Sequence, residues 1–516
     1  MLQSPLVGRP MAIPSSLRGV KHQSYVFLVA RPFATTRPAL EATEPTKRHL
    51  HSTSKTAQDI SAIDTKSISQ LKSQFAEEAK MASKKKIVPL SVLPLPTVLR
   101  TLATTTISSS PILLPPSLAA MNVLAHTENP ILNPDKNAVL GWFLKKTFYA
   151  QFCAGENAGE VRQTVDGLRK MGFTGVILGY AKEVVLSKSQ TENLTACDQG
   201  AEKDDCVEKE IGPWTAGTLE TVRLAQPGDF VALKFTGAGR QALYALKNRL
   251  PPPKELRAGI DQVCDYARER NIPLLFDAEQ TALQAGIDDW TLEYQRKYNT
   301  IPGHALIYGT YQAYLKACPA VLGSHLLAAA KDGFTLGIKL VRGAYLGADP
   351  RHIIHDTKED TDRYYDAITE SLIRREWHDI LKQDADYPLV SILLGSHNLE
   401  SVRRARAVRD SIPIPAPTTF PSQGPAGELA IAQLQGMADD VSCELVCVKK
   451  RDDRDSAVED STKAYKYIVW GTTGECMKYL LRRANENKDA VQRTRSGRDA
   501  MWGELKRRFW ASVGRA

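Results

Sequence analysis

Phe230-Val-Ala-Leu-Lys-Phe-Thr-Gly237 is a short, almost unbroken apolar run with a single lysine inside it. A strand with one solvated face alternates apolar and polar residues, whereas a strand buried on both faces, as in a parallel sheet, reads as a continuous run. Seven further runs share the pattern: Thr174–Tyr180, Pro273–Glu279, Ala305–Gln312, Thr335–Ala344, Val390–Asn398, Glu428–Met437 and Tyr465–Gly471. Between them lie stretches with 3.6-residue periodicity, such as Lys254–Asn271, Pro319–Gly333 and Asp360–Gln383, long enough for the crossover helices that parallel strands need. Eight such units predict a (βα)8 TIM-type barrel.

Barrel chemistry sits at the C-terminal ends of the strands, and the polar residues fall there. Lys234, Asp277 and Glu279, Gln312, Arg342 and Tyr345, and Ser396-His397-Asn398 end or follow successive runs. Tyr479, Arg482, Arg483 and Glu486 recur at i, i+3, i+4 and i+7, one face of the helix expected after strand eight. Two adjacent guanidiniums repel unless an anion lies between them, and their planar forks suit a carboxylate. The face reads as a docking site for a small carboxylate, or as a solvated basic face.

Other features exclude rather than assign. The net charge of +9 resides almost wholly in residues 1–86, which carry 14 Lys/Arg against 6 Asp/Glu, so a nucleic-acid surface is not expected. That leader is rich in Arg and Ser and has no acidic residue before Glu41, the pattern of a disordered mitochondrial presequence and linker. Residues 101–125 are uncharged but crowded with Thr, Ser and Pro, which predicts short helices packed on the body rather than a membrane span. The predicted organisation is therefore a leader (1–86), a helical N-terminal segment (87–165), the barrel (166–500) and a basic tail (501–516). Ser187–Gly212 and Asp439–Asp460 read as charged surface excursions. Of the eight cysteines only Cys443 and Cys447 are close, with no histidine nearby, so reduced thiols and no metal site are expected.

Lys234 admits three readings: a Schiff-base nucleophile of a lyase, a cation for a substrate carboxylate or cofactor, or an ion pair with Asp277. Gly237-Ala-Gly239-Arg-Gln-Ala242 imitates a dinucleotide fingerprint but lacks the acid about 20 residues on, so a tight turn is expected. His352 and His355 have metal-compatible spacing without a third ligand and read as a surface helix.

Taken in order, Phe276-Asp-Ala-Glu279, Tyr311-Gln-Ala-Tyr314, Leu340-Val-Arg-Gly-Ala-Tyr345, Gly395-Ser-His-Asn398 and Tyr479-Leu-Leu-Arg-Arg-x-x-Glu486 resemble the proline dehydrogenase (proline oxidase) family over roughly residues 130–500. The resemblance implies a distorted barrel that binds FAD noncovalently and oxidises L-proline to Δ1-pyrroline-5-carboxylate. It also implies a mitochondrial location on the matrix side of the inner membrane, held peripherally, with ubiquinone as acceptor. Carried over by residue, Arg482, Arg483 and Lys234 would clamp the proline carboxylate, with Asp277 anchoring Lys234 and Glu486 steadying an arginine. Tyr345, Leu434, Tyr467 and Tyr479 would wall the ring. Gln312, Lys339, Arg342, Gly343, Ala344, His397 and Asn398 would meet the cofactor. Bacterial relatives exchange the two bases of Lys339-Leu-Val-Arg342, and carry a strand-one carboxylate where this chain has Tyr180.

Overall fold

The computed structural model divides into two units, residues 1–83 and 84–516. It describes residues 88–127, 129–181, 204–347, 349–412, 429–455, 462–487 and 491–514, and the leader call lies outside them. All eight expected runs form strands: β1 (Gly175–Tyr180), β2 (Phe230–Leu233), β3 (Leu274–Phe276), β4 (Ile307–Gln312), β5 (Leu336–Val341), β6 (Val390–Gly395), β7 (Leu429–Leu434) and β8 (Thr462–Trp470). They pair in parallel in sequence order and close through β1 against β8. β2 and β3 are the shortest, and β2 passes at once into a 3-10 turn, Phe235–Ala238.

Among the described residues three helices precede the barrel: α1 (Leu95–Ser109), α2 (Leu114–His126) and α3 (Ala138–Leu144), the last running on through a π turn to Phe152. The barrel helices are α4 (Ala158–Met171), α5 (Gly212–Leu224), α6 (Arg240–Lys247), α7 (Lys254–Glu269), α8 (Thr281–Tyr298), α9 (Cys318–Asp332), α10 (Lys358–Arg374), α11 (Leu399–Asp410), α12 (Asp439–Asp455) and α13 (Thr473–Asn487), followed by α14 (Val491–Ser512). Local chemistry sets their ends. Asn157 accepts from the Glu160 N–H to start α4, and Gly172 stops it at φ +113°. Thr357 caps α10 in the same way, accepting from the Asp360 N–H.

The strands are buried on both faces, as their composition requires. Outward, Leu233, Phe235 and Phe276 pack under α5–α8, where Phe235 meets Phe276 and Trp290 edge-to-face at 4.9 and 5.2 Å. Truncating a ring such as Phe276 to alanine would cost about 3–5 kcal/mol. Inward, Phe230, Tyr308 and Tyr465 interlock as a floor, with centroids 5.6 and 5.2 Å apart, so the lower barrel is filled and only its upper end is available to a ligand.

Three expectations need correction. Asp439–Asp460 is not an excursion: its first part is the crossover helix α12, whose Val441, Cys443 and Val446 are buried. Likewise the end of Ser187–Gly212 belongs to the helical approach to α5, while its earlier part falls outside the described residues. There Glu210 accepts from the Arg240 N–H at 2.7 Å and its Nε at 2.7 Å. The Cβ that Gly239 lacks would sit 2.0 Å from Glu210 Oε2, so this glycine serves the tight turn rather than a phosphate. Finally, residues 501–512 of the supposed tail continue α14, which packs along α1: Arg498 donates to Ser109 Oγ at 3.4 Å and Arg508 to the Leu93 carbonyl at 2.7 Å. Among the described residues no single helix is long and apolar enough to cross a membrane, although α1 and α2, bent by 108°, pass by length and composition as a pair.

Candidate active site

Strand alternation decides which side chains look into the barrel. On β5, Lys339 points inward and pairs in register with Thr310 of β4 and Leu393 of β6. Its ammonium lies 2.5 Å from Asp277 Oδ1, just past β3, and the other carboxylate oxygen accepts from the Tyr467 hydroxyl at 2.9 Å. The ammonium also sits 5.1 Å from the Tyr467 ring centroid. These three groups from β3, β5 and β8 form one network across the mouth. Burial and the Asp277 charge push the Tyr467 phenol well above its ordinary range, so it stays a neutral donor.

In place of the expected Asp277–Lys234 anchor, the two Asp277 oxygens take Lys339 and Tyr467. Lys234, half-buried at the end of β2, instead has the Glu279 carboxylate in its field. Glu279 is buried and accepts from the Thr236 N–H at 3.1 Å and from the Thr236 hydroxyl. Burial raises its pKa while Lys234 and Thr236 oppose the rise. This carboxylate was given no role in the sequence reading; the signal was a second acid two residues beyond a strand-end aspartate.

Gln312 ties the rim together, accepting from the Ala344 N–H at 3.1 Å and donating to the Glu279 carbonyl at 3.5 Å. Gly343 lies so close to Tyr314 that a Cβ would stand 2.4 Å from its ring. Tyr345 is buried and donates to the Ala278 carbonyl at 3.3 Å. On the far rim, His397 Nε2 accepts from the Leu434 N–H at 3.1 Å, which places a ring proton on Nδ1.

Two expected cofactor contacts are engaged elsewhere. Arg342 leaves β5 on the outward side, pairs with Asp362, donates to Ser401 Oγ at 3.3 Å and lies 4.9 Å over the Tyr365 ring. The Asn398 side-chain oxygen caps α11, accepting from the Glu400 and Ser401 N–H groups. Of the two exchanged bases, Lys339 is thus the one inside the mouth.

α13 closes the arrangement. Buried Tyr479 packs in the cluster that receives Tyr467, Arg483 stands 5.7 Å from the Tyr479 ring, and the Arg483 charge acts on Tyr467. The two-arginine helix therefore leans over the mouth; the side chains of Arg482 and Glu486 lie outside the described ones. His352 and His355 do not converge on a site: His355 is buried with its ring 4.1 Å from Tyr364.

Residues 161–496 match the family model described as Proline dehydrogenase. The chain belongs to the proline dehydrogenase family. Its members are oxidoreductases. The probable mitochondrial proline dehydrogenase of Schizosaccharomyces pombe is 30% identical over 418 residues, covering 71% of this chain and 80% of that relative. The hydroxyproline dehydrogenase of Bos taurus is 28% identical over 401 residues, covering 72% of this chain and 82% of that one. Among solved structures, proline utilization A (PutA) from Bdellovibrio bacteriovorus inactivated by N-propargylglycine superposes with a TM-score of 0.52 at 16% identity. The match covers 81% of this chain but only 41% of that one, and carries the fold alone.

Proposed function

We propose that this chain oxidises L-proline to Δ1-pyrroline-5-carboxylate with FAD, passing the electrons to a quinone at the matrix side of the mitochondrial inner membrane. The observation that carries the reading is Arg483 on α13, held with Tyr479 over the inward-facing Tyr467, above the Lys339–Asp277 pair. A guanidinium over an apolar aromatic wall suits a small molecule with a carboxylate at one end and an aliphatic ring at the other.

The mouth fits a flavin. Thr310 Oγ1 faces inward and is buried without a hydrogen-bond partner, beside Lys339 and two residues from Gln312. A planar ligand with a polar edge satisfies Thr310 and meets Lys339 and Gln312 beside it. Gly343 and Ala344, with His397 opposite, border the same opening. Bound there, FAD supplies the acceptor for the hydride from the carbon beside the ring nitrogen. The protein's own residues bind and orient: Arg483 and Lys234, joined by Arg482 from its place on the helix, take the carboxylate, while Tyr345, Leu434, Tyr467 and Tyr479 confine the ring. Asp277 holds the Lys339 ammonium in place and orients Tyr467. Glu279 stands in the field of Lys234 at the same rim.

The test is turnover of purified protein with L-proline and a soluble dye acceptor, then with a quinone, against trans-4-hydroxy-L-proline as competitor substrate. Proline turnover well above hydroxyproline turnover supports the reading. Equal or greater activity on hydroxyproline would reassign the substrate.

A further inference from the structure

The first turn of α13 leaves four backbone N–H groups without an intrahelical partner, those of Thr472 to Glu475. Two are met within the turn, where Thr472 and Glu475 form a capping box. The Thr472 N–H donates to Glu475 Oε2 at 3.0 Å, and the Glu475 N–H to Thr472 Oγ1 at 3.3 Å. The other two go to carboxylates from the segment before β1, 317 and 339 residues away in sequence. Thr473 donates its N–H to Glu156 Oε1 at 2.8 Å and its hydroxyl to the same oxygen at 2.5 Å. Gly474 donates its N–H to Asp135 Oδ1 at 2.8 Å, while Asp135 Oδ2 accepts from the Thr472 hydroxyl at 3.2 Å. All four donors are taken, so the turn is closed as an anion site.

Both outside acceptors are themselves fixed. Glu156 Oε2 takes the Lys145 ammonium at 2.6 Å, and the Glu156 N–H donates to Glu160 Oε2 at 3.0 Å. The chain beside Glu156 is laced to the end of β8. The Ala154 N–H donates to the Val469 carbonyl at 2.7 Å, the Gly471 N–H to the Gly155 carbonyl at 3.2 Å and the Tyr149 hydroxyl to the Gly471 carbonyl at 2.8 Å. At residue 474 a Cβ would stand 2.4 Å from Asp135 Oδ2, so the glycine there admits the carboxylate. Negative charge at this end of the helix also complements its dipole.

We infer that Asp135 and Glu156 are positioning residues for the carboxylate site: by holding the first turn of α13 they fix where Tyr479 and Arg483 stand over the mouth. Arg483 follows Thr473 by ten residues. At about 1.5 Å per residue that is about 15 Å along the axis, so a tilt of about 10° at the first turn moves Arg483 by about 2–3 Å. Displacements of that size spoil the geometry on which a directed charge contact depends. The inference rests on the proposed function, which supplies the ligand of Arg483.

The experiment is steady-state kinetics of the full chain with L-proline and a soluble dye. Asp135→Ala and Glu156→Ala are compared with Asp135→Asn, with Glu156→Gln and with a control, Thr357→Ala, which removes the side-chain cap of α10. Each alanine variant raises KM for proline about 3- to 30-fold, the range a lost cap spans, and leaves kcat and the KM for the dye unchanged. Asparagine and glutamine keep an acceptor oxygen and restore the wild-type KM. Thr357→Ala loses a cap of the same kind without moving KM, which separates positioning from general stability. In an Arg483→Ala background the effect of Asp135→Ala shrinks, because the guanidinium it positions is gone. Asp135 is exposed, so its truncation carries the test even if Glu156→Ala does not fold. The inference is overturned if Asp135→Ala leaves KM unmoved, if Thr357→Ala raises it equally, or if the full effect survives without Arg483. Wild-type protein inactive on proline overturns the proline reading itself, a failure distinct from active wild type with unmoved variants.

Discussion

Lys339 and Asp277 meet at 2.5 Å with both side chains less than one-tenth exposed. Two charges at such depth persist only as a pair, because removing either leaves the other desolvated and uncompensated. Asp277→Asn should therefore destabilise the fold by about 3–5 kcal/mol. Asp277→Leu/Lys339→Met should lose less stability than the single change yet remain inactive. Chemical denaturation separates the two, and a double variant whose loss equals the sum of those of Asp277→Leu and Lys339→Met alone would show that the pair does not couple.

On the proposed function, Arg483 bears on binding rather than on the chemical step. A charge-assisted hydrogen bond is worth about 1.5–3 kcal/mol, so Arg483→Ala should raise KM for proline about 10- to 100-fold. The change in kcat should be much smaller. Steady-state kinetics with a dye acceptor checks this, and an unchanged KM would remove Arg483 from the carboxylate site.

The rim depends on Gly343 because the Tyr314 ring occupies the space a side chain would need, 2.4 Å from an ideal Cβ. Tyr314 cannot simply swing aside, since its hydroxyl holds Asp349 at 2.5 Å and Asp349 accepts from the Thr281 N–H. Gly343→Ala should cost about 1–3 kcal/mol and weaken flavin retention. Thermal melting and the flavin content of the purified variant test both effects.

Away from the site, burial pushes the Asp288 carboxyl up to about 7, although Gln284 donates to it at 2.8 Å. An unfolded aspartate titrates near 3.9. Between those values the folded state binds more protons than the unfolded one, so stability falls as pH rises from about 4 to about 7. Asp288→Asn should remove this slope, on the order of 1 kcal/mol per pH unit, and gain on wild type with rising pH. Urea unfolding at pH 5 and pH 8 measures it.

The barrel was legible because burial on both faces leaves a signature in each strand, as in Phe230–Leu233 and Leu336–Val341. The mouth was partly legible: a lysine inside an apolar strand and two arginines on one helical face are costly arrangements that declare themselves. Pairing was not. That Asp277 chooses Lys339 over Lys234 depends on which strand neighbours look inward at the same height, which only the closed register fixes. The same register sends Arg342 outward to Asp362, although it lies three residues from Lys339. Nor could α12 be told from a charged excursion, because a helix covering one side of a barrel carries as much charge outside as apolar surface inside.

The most direct test of the central claim is anaerobic titration of the purified protein with L-proline, followed through the visible flavin absorption. The account predicts a yellow protein whose band bleaches on proline, with Arg483→Ala needing far more proline for the same bleaching. A colourless protein that binds no added FAD, or a flavin band indifferent to proline, would contradict it.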